Sequence, residues 1–318
     1  MRYWLQRLGA AVALLLAVSA LTFGAMNLLG DPLFNILGPT SQSTTPEDLE
    51  IIEAAKAEYN LDDPLPVRYV KWGSAFVTGD FGVQFSVDGQ PPVSELIKER
   101  LPRTLMLLII AQTMAVLIAV PWALFAASRA DKVVDKASTI VSFLLIAVPN
   151  FGLAVILKYL LSIKFSIFPL VFRADDPFWS RVWQMIMPAL ALALPVASVY
   201  QRLLRTDLIT TLQEDFILTA RSKGVSRRNV LFKHALRPSL FSFITIFGIN
   251  TGALLGGALI VEQIFIIPGL GSAIVEAILR EDFPVVLAIV MLVTAAFVVI
   301  NIVVDLLYSI IDPRVRAA

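Results

Sequence analysis

The sequence predicts an all-α fold: a polytopic transmembrane helical bundle of about six spans, with a first outer loop containing a short helix and a basic helix-turn-helix in a later loop. Three observations predict it. Of 318 residues, 57% are apolar and 16% are charged, against roughly 25% charged in soluble domains. The apolar residues form runs of about 20, the length that crosses a hydrocarbon core roughly 30 Å thick at 1.5 Å rise per residue. Lys and Arg gather in alternate connecting segments, as in chains that cross a bilayer repeatedly.

The runs place spans at Leu8–Leu29, Leu101–Ser128, Ser138–Leu161, Trp183–Leu204, Leu240–Glu262 and Pro284–Ile310. Arg2, Arg7 and Val18-Ser19-Ala20 resemble a signal peptide with its cleavage site, but apolar sequence continues to Leu29, so residues 1–30 read as an uncleaved first span. With the N-terminus inside, the inner segments collect Arg129, Lys132, Arg202, Arg205, Arg221, Lys223, Arg227, Arg228, Lys233 and Arg237. The outer loop at 31–100 is rich in acids from Glu47 to Glu99. Both termini, including the tail at 312–318, are therefore expected in the cytoplasm. Lys158, toward the outer end of the third span, can snorkel. Asp305 and Asp312 organise the basic end of the sixth.

In the outer loop, Thr45 suits a helix N-cap, Pro46 the first helical position, Glu47 and Asp48 the positive end of the dipole, and Asn60 a left-handed terminus. A helix from Thr45 to Tyr59 follows. Gly79-Asp80-Phe81-Gly82 has the letters of a kinase metal motif without its companions, and reads as a turn. In the inner loop at 205–238, Thr211 and Glu214 fit a capping box before a helix from Leu212 to Lys223. Gly224 supplies the turn, and Ser226 caps a second helix from Arg227 to Leu236 that Pro238 ends. The residues leave two readings open: an amphipathic linker on anionic lipid, or a docking helix for a soluble partner.

The chain has no cysteine and a single histidine, His234, read as a helix-face residue at the membrane boundary. A disulfide framework, thiolate chemistry and a histidine relay are excluded. No phosphate-binding loop of the Walker A type occurs.

Asp215-Phe216-Ile217-Leu218-Thr219-Ala220-Arg221-Ser222-Lys223-Gly224-Val225-Ser226, followed by His234-Ala235-Leu236-Arg237, resembles the EAA loop of ABC importer permeases, in the form used by the dipeptide/oligopeptide/nickel family. Leu29-Gly30-Asp31-Pro32, Val148-Pro149-Asn150-Phe151, Val261-Glu262-Gln263-Ile264-Phe265, Pro268-Gly269-Leu270-Gly271 and Asp312-Pro313-Arg314 extend the resemblance over nearly the whole chain. Ser242 stands where many relatives carry a proline. The resemblance implies a permease domain over 101–311 that is not itself an enzyme. It also implies a second homologous permease subunit, two cytoplasmic ATPase subunits and an extracytoplasmic solute-binding protein. No cofactor is expected on this chain; ATP and Mg would bind the ATPases. Membrane lipid is an expected partner and nucleic acid is not. The implied location is a bacterial cytoplasmic membrane.

For ATPase coupling the resemblance points to Asp215, Phe216, Ala220, Arg221, Gly224 and Arg237. Pathway or gate candidates are Pro149 and Asn150, where a bend is expected, and Gly248, Asn250, Thr251, Gly252 and Glu262 in the fifth span. Gly248, Gly252 and Gly256 at four-residue spacing allow close backbone approach. Short peptides are the expected cargo. Nickel chelates, glutathione and oligosaccharides are carried by relatives of the same pattern. An ion-gradient-driven transporter would show internal repeats and buried acids at the midplane. An intramembrane enzyme would need paired catalytic groups there. Neither is seen in the sequence.

Overall fold

The computed structural model describes residues 2–29 and 32–311, and among them it is all-helical, with one isolated antiparallel bridge at Val83 and Pro92 and no strand. In chain order the α-helices are α1 (Arg2–Leu29), α2 (Pro32–Leu37), α3 (Pro46–Glu58), α4 (Leu65–Val77), α5 (Val93–Ala127), α6 (Val133–Ala147), α7 (Asn150–Leu157), α8 (Phe178–Thr211), α9 (Asp215–Ser222), α10 (Arg227–Asn229), α11 (Leu236–Phe265), α12 (Leu270–Leu279) and α13 (Phe283–Ile311). A 3₁₀ turn follows α2 at Gly38–Gln42, and π-helical turns occupy Lys158–Lys164 and Val230–Ala235. Five helices are long and apolar enough to cross a membrane, and α6 with α7 and its π turn makes a sixth if that bent pair is one span. Asp312 to Arg316 and the Gly30-Asp31 pair lie outside the described residues.

The chain forms two compact units. Unit 1 comprises Met1–Arg103 and Pro268–Val298. Its core joins Val93 and Ile97 of α5 to Leu270, Ala273 and Ala277 of α12 and to Val285, Ala288 and Ile289 of α13. Asp282, 1% exposed, accepts from the Ser86 N–H at 2.9 Å and from the Ser86 hydroxyl at 2.7 Å, which anchors the long loop to the start of α13. The loop helix forms as its sequence dictates. Thr45 caps α3 by accepting from the Asp48 N–H at 3.4 Å, and Asn60 sits at φ +54°. The Ser43 and Thr45 hydroxyls donate to the Asp48 carboxylate and hold it below the usual carboxylate range. Gly79-Asp80-Phe81-Gly82 is a turn: both glycines have positive φ, and the Gly82 N–H donates to Asp80 Oδ1 at 3.0 Å.

Unit 2 comprises Thr104–Ile267 and Val299–Ala318, and is organised around α8. In α8, 61% of the most apolar window is buried, which makes it an interior helix despite Pro188 and Pro195. It packs on α6, α7 and α11. Ala111, Ala115, Ala119 and Ala123 of α5 are fully buried, a stripe of small side chains at four-residue spacing that permits close helix packing. Polar groups stitch the interior. Gln112 donates to the Tyr200 hydroxyl at 2.8 Å, which in turn donates to the Phe247 carbonyl at 3.3 Å. Ser142 donates to Gln201 at 2.7 Å, and Gln201 donates to Ser138 at 3.1 Å. Arg205 pairs with Asp135 through two hydrogen bonds.

The third span bends at Pro149 and Asn150 as expected, and the bend is a full break between two helices. α6 and α7 meet at 100° across Val148 and Pro149, both extended, with Pro149 as the residue before α7 instead of a kink inside one helix. The physical reason is that a proline disfavours helical backbone at the residue before it, so Val148 cannot continue α6. The second inner-loop helix differs from expectation. It does not stop at Pro238. Helical chain runs from Arg227 through the π turn into α11, and Pro238 comes just after that turn, whose wider winding accommodates the proline ring and its missing N–H.

Candidate functional site

The connection from α8 to α11 carries the residues that the sequence marks for coupling. The Thr211–Glu214 capping box does not form. α8 runs on to Thr211 because Leu204 and Leu208 are fully buried along it, and the Thr211 hydroxyl lies 3.3 Å from that of Ser239. Glu214, with extended backbone, takes the N-cap of α9 itself. α9 therefore spans Asp215–Ser222, shorter than Leu212–Lys223. Asp215 in its first turn and Arg221 in its last oppose the helix dipole favourably. The helix ends in a Schellman motif: the Gly224 N–H reaches the Arg221 carbonyl at 2.9 Å and the Val225 N–H the Ala220 carbonyl at 3.2 Å. Gly224 has φ +78°, which a side chain adopts at a cost. Ser226 caps α10, accepting from the Asn229 N–H at 3.4 Å.

α9 has two faces. Ile217 is fully buried, packed in a cluster with Ala123, Leu124 and Ala127 of α5, Leu204 and Leu208 of α8, and Val230 and Ala235 of the π turn; Ala220 is also buried, 9% exposed. Phe216 and Leu218 point outward, 47% and 53% exposed. Arg221, Lys223, Arg227, Arg228 and Arg237 are also exposed. Arg227 donates to the Ser128 carbonyl at 3.0 Å and ties the connection to the end of α5. The arrangement is a short helix keyed into three long ones, with an apolar and basic outer surface. Ala220 faces the chain's own core, while Phe216 does not. His234 is half-buried within the π turn.

The second group of candidates lies along α7 and α11. Gly248 is buried, and a Cβ there would collide with the Val304 side chain of α13. Gly252 is buried, whereas Gly256 is exposed with nothing within 4 Å. Asn250 and Thr251 turn their side chains back to their own helix, donating to the Ile246 and Phe247 carbonyls at 2.9 and 2.7 Å. Pro149 is exposed. Asn150 sits against α11, its amide 2.8 Å from where a Cβ on Gly257 would stand. Glu262 is fully buried and accepts from the Thr104 hydroxyl at 2.6 Å, so it joins α5 to α11 within the unit. Lys158 does not snorkel freely: it donates to the Ile264 carbonyl at 2.5 Å, a cation at the negative end of α11.

Gln112, Tyr200, Gln201 and the Asp135–Arg205 pair complete this interior, and sequence reasoning did not single them out. Their signal was available, because polar side chains inside apolar runs seek partners across helices. Among the described residues no group of three or more His, Cys, Asp or Glu could hold a metal ion.

A family model described as binding-protein-dependent transport system inner membrane component matches residues 119–317. The chain belongs to this family. The permease is 36% identical to the oligopeptide transport system permease protein AppB of Bacillus subtilis, over 99% of both chains. It is 38% identical to a putative peptide transport system permease protein of Brucella abortus over 98% of both chains, and 36% identical to the glutathione transport system permease protein GsiC of Salmonella paratyphi A over 99% of both. It is therefore a multi-pass inner-membrane permease subunit of an ABC importer, a family without catalytic activity of its own. As a component of a binding-protein-dependent system, the permease works with a binding protein and an ATPase.

Proposed function

We propose that this permease forms half of a pathway that carries short peptides into the cell, driven by ATP hydrolysis on partner subunits. The observation that carries the coupling part is the two-faced helix α9. Ile217 locks it to α5, α8 and the π turn and Ala220 is buried too, while Phe216 and Leu218 are left outward. A force applied to the outer face is delivered to the spans through the inner face. In this reading Phe216 inserts in a groove on an ATPase. Asp215 and Arg221 hold the helix in register, Gly224 permits its sharp exit, and Arg237 adds charge beside the docking surface.

The docking surface faces the cytoplasm in this proposal, as the Lys and Arg distribution supports. Two ATPases bind ATP with Mg, close, and move one such helix on this chain and one on a second homologous permease. The cavity between the two permeases then opens alternately to each side, a population shift set by differential affinity for the ATPase states. The break at Pro149 and Asn150, together with the α11 positions Gly248, Asn250, Thr251, Gly252 and Glu262, belongs to the moving part. Cargo arrives from an extracytoplasmic binding protein. The peptide class is supported by the relatives' names, and glutathione, itself a tripeptide, falls within it.

The test is uptake of a labelled tripeptide by cells lacking this gene, complemented with wild type or Gly224→Trp. Wild type restores energy-dependent uptake and the variant does not, although it inserts in the membrane. If wild type fails to restore uptake while the complex assembles, the peptide assignment falls.

A further inference from the structure

Unit 1 holds a cavity used neither by the α9 connection nor by the α7–α11 face. Its volume is about 290 Å³, and it is walled by the end of α1, by α3 and α4 with the loops that follow them, and by the start of α13. The wall combines aromatic rings with charged side chains, among them Glu58, Arg68, Lys71 and Asp80. Phe23, Trp72 and Phe81 line it, with the Phe23 and Trp72 rings 5.6 Å apart.

Two polar groups in this wall lack a hydrogen-bond partner among the described residues. Oδ1 of Asn27 is buried and accepts no hydrogen bond, while the amide nitrogen of the same side chain donates to the Phe23 carbonyl at 2.8 Å. The Arg68 guanidinium, half-buried, makes no hydrogen bond or ion pair with the described residues. The nearby Asp63 carboxylate is engaged by Lys71 at 2.6 Å. Burial pushes the Arg68 pKa down, and the charge of the nearby Asp63 carboxylate offsets this only in part. A guanidinium with no hydrogen-bonded anion and an acceptor without a donor, beside aromatic rings at one cavity, are complementary to a ligand that brings the missing groups.

We infer that this cavity binds the C-terminal end of a short peptide, with its carboxylate on Arg68, a backbone N–H on Asn27 Oδ1, and an apolar or aromatic side chain against Phe23, Trp72 and Phe81. A guanidinium fork suits a carboxylate by paired hydrogen bonds. The ligand class rests on the peptide reading above. The chemistry asked for, a carboxylate beside an apolar body, is also offered by a fatty acid from the membrane. The Asn27 acceptor decides for the peptide, because a fatty acid has no N–H to give.

The test is equilibrium binding of tritiated Ala-Ala-Phe to the full permease–ATPase complex in nanodiscs, without binding protein. Ala-Ala-Phe amide and laurate serve as competitors, and tripeptide uptake by the same complex is measured beside it. Wild type binds the tripeptide, and the C-terminal amide competes at least tenfold more weakly than the acid, a comparison that needs no variant. Arg68→Gln and Asn27→Leu each weaken binding about tenfold or more, and Arg68→Lys recovers part of the loss. Equal competition by acid and amide, or equal binding by wild type and Arg68→Gln, overturns the site. Intact uptake in that case leaves the peptide function standing. Arg68-dependent binding of laurate without binding of the tripeptide overturns the peptide as occupant, and absent uptake then removes the functional reading with it.

Discussion

Gly224 is the residue on which the exit from α9 turns. Nothing lies within 4 Å of where its Cβ would stand, so space does not explain the glycine; its φ of +78° does. A left-handed backbone costs a non-glycine residue roughly 1–2 kcal/mol, least for asparagine. Gly224→Asn is therefore predicted to keep most uptake, while Gly224→Val loses it, with both proteins present in the membrane at wild-type amounts. Equal uptake by the two variants would show that the turn does not matter. A second residue-scale prediction concerns Asp135, whose side chain is 3% exposed and paired with Arg205. Arg205→Ala strands a buried charge and is predicted to destabilise by about 3–5 kcal/mol. Asp135→Asn combined with Arg205→Gln should recover much of that in detergent melting experiments. These polar residues show where legibility ended. Gly224, Ser226 and Thr45 were readable because caps and turns are local. The partners of Asp135, Gln201 and Glu262 were not, because sequence spacing does not say which helix lies opposite.

At the scale of elements, span existence was legible and span continuity was not. Length and apolarity suffice for α1, α5, α8, α11 and α13. The 100° break between α6 and α7 needed backbone geometry, since a proline can kink a helix or end it. The same ambiguity hid the continuity through Pro238. The break supports a specific expectation. With Pro149→Ala, Val148 is freed to become helical, and the angle between α6 and α7 becomes variable. The chain has no cysteine, so spin labels at Ile140 and Ile156 can be placed on a clean background. Their distance distribution is predicted to be narrow in the parent and broadened toward longer distances in Pro149→Ala. An unchanged distribution would mean that packing of α7 on α8 and α11, not the proline, sets the break.

At the scale of the molecule, the account makes the permease a transmitter. The apolar spans and the family were legible from the whole chain, because many weak matches in one order add up where single ones do not. The orientation rests on charge. Protease added to the outside of intact cells is predicted to cut between Ser41 and Glu58 and to spare Arg221 to Arg228. The opposite pattern would invert the chain.

The central claim is that α9 is the mechanical link to an ATPase. Single cysteines at Phe216, Ile217 and Leu218, introduced one at a time, test it by cross-linking to the assembled ATPase in membranes. The account predicts adducts from Phe216→Cys and Leu218→Cys, whose positions face outward, and none from Ile217→Cys, which is sealed inside the chain. Cross-linking from Ile217→Cys alone, or from none of the three in an assembled complex, would contradict it.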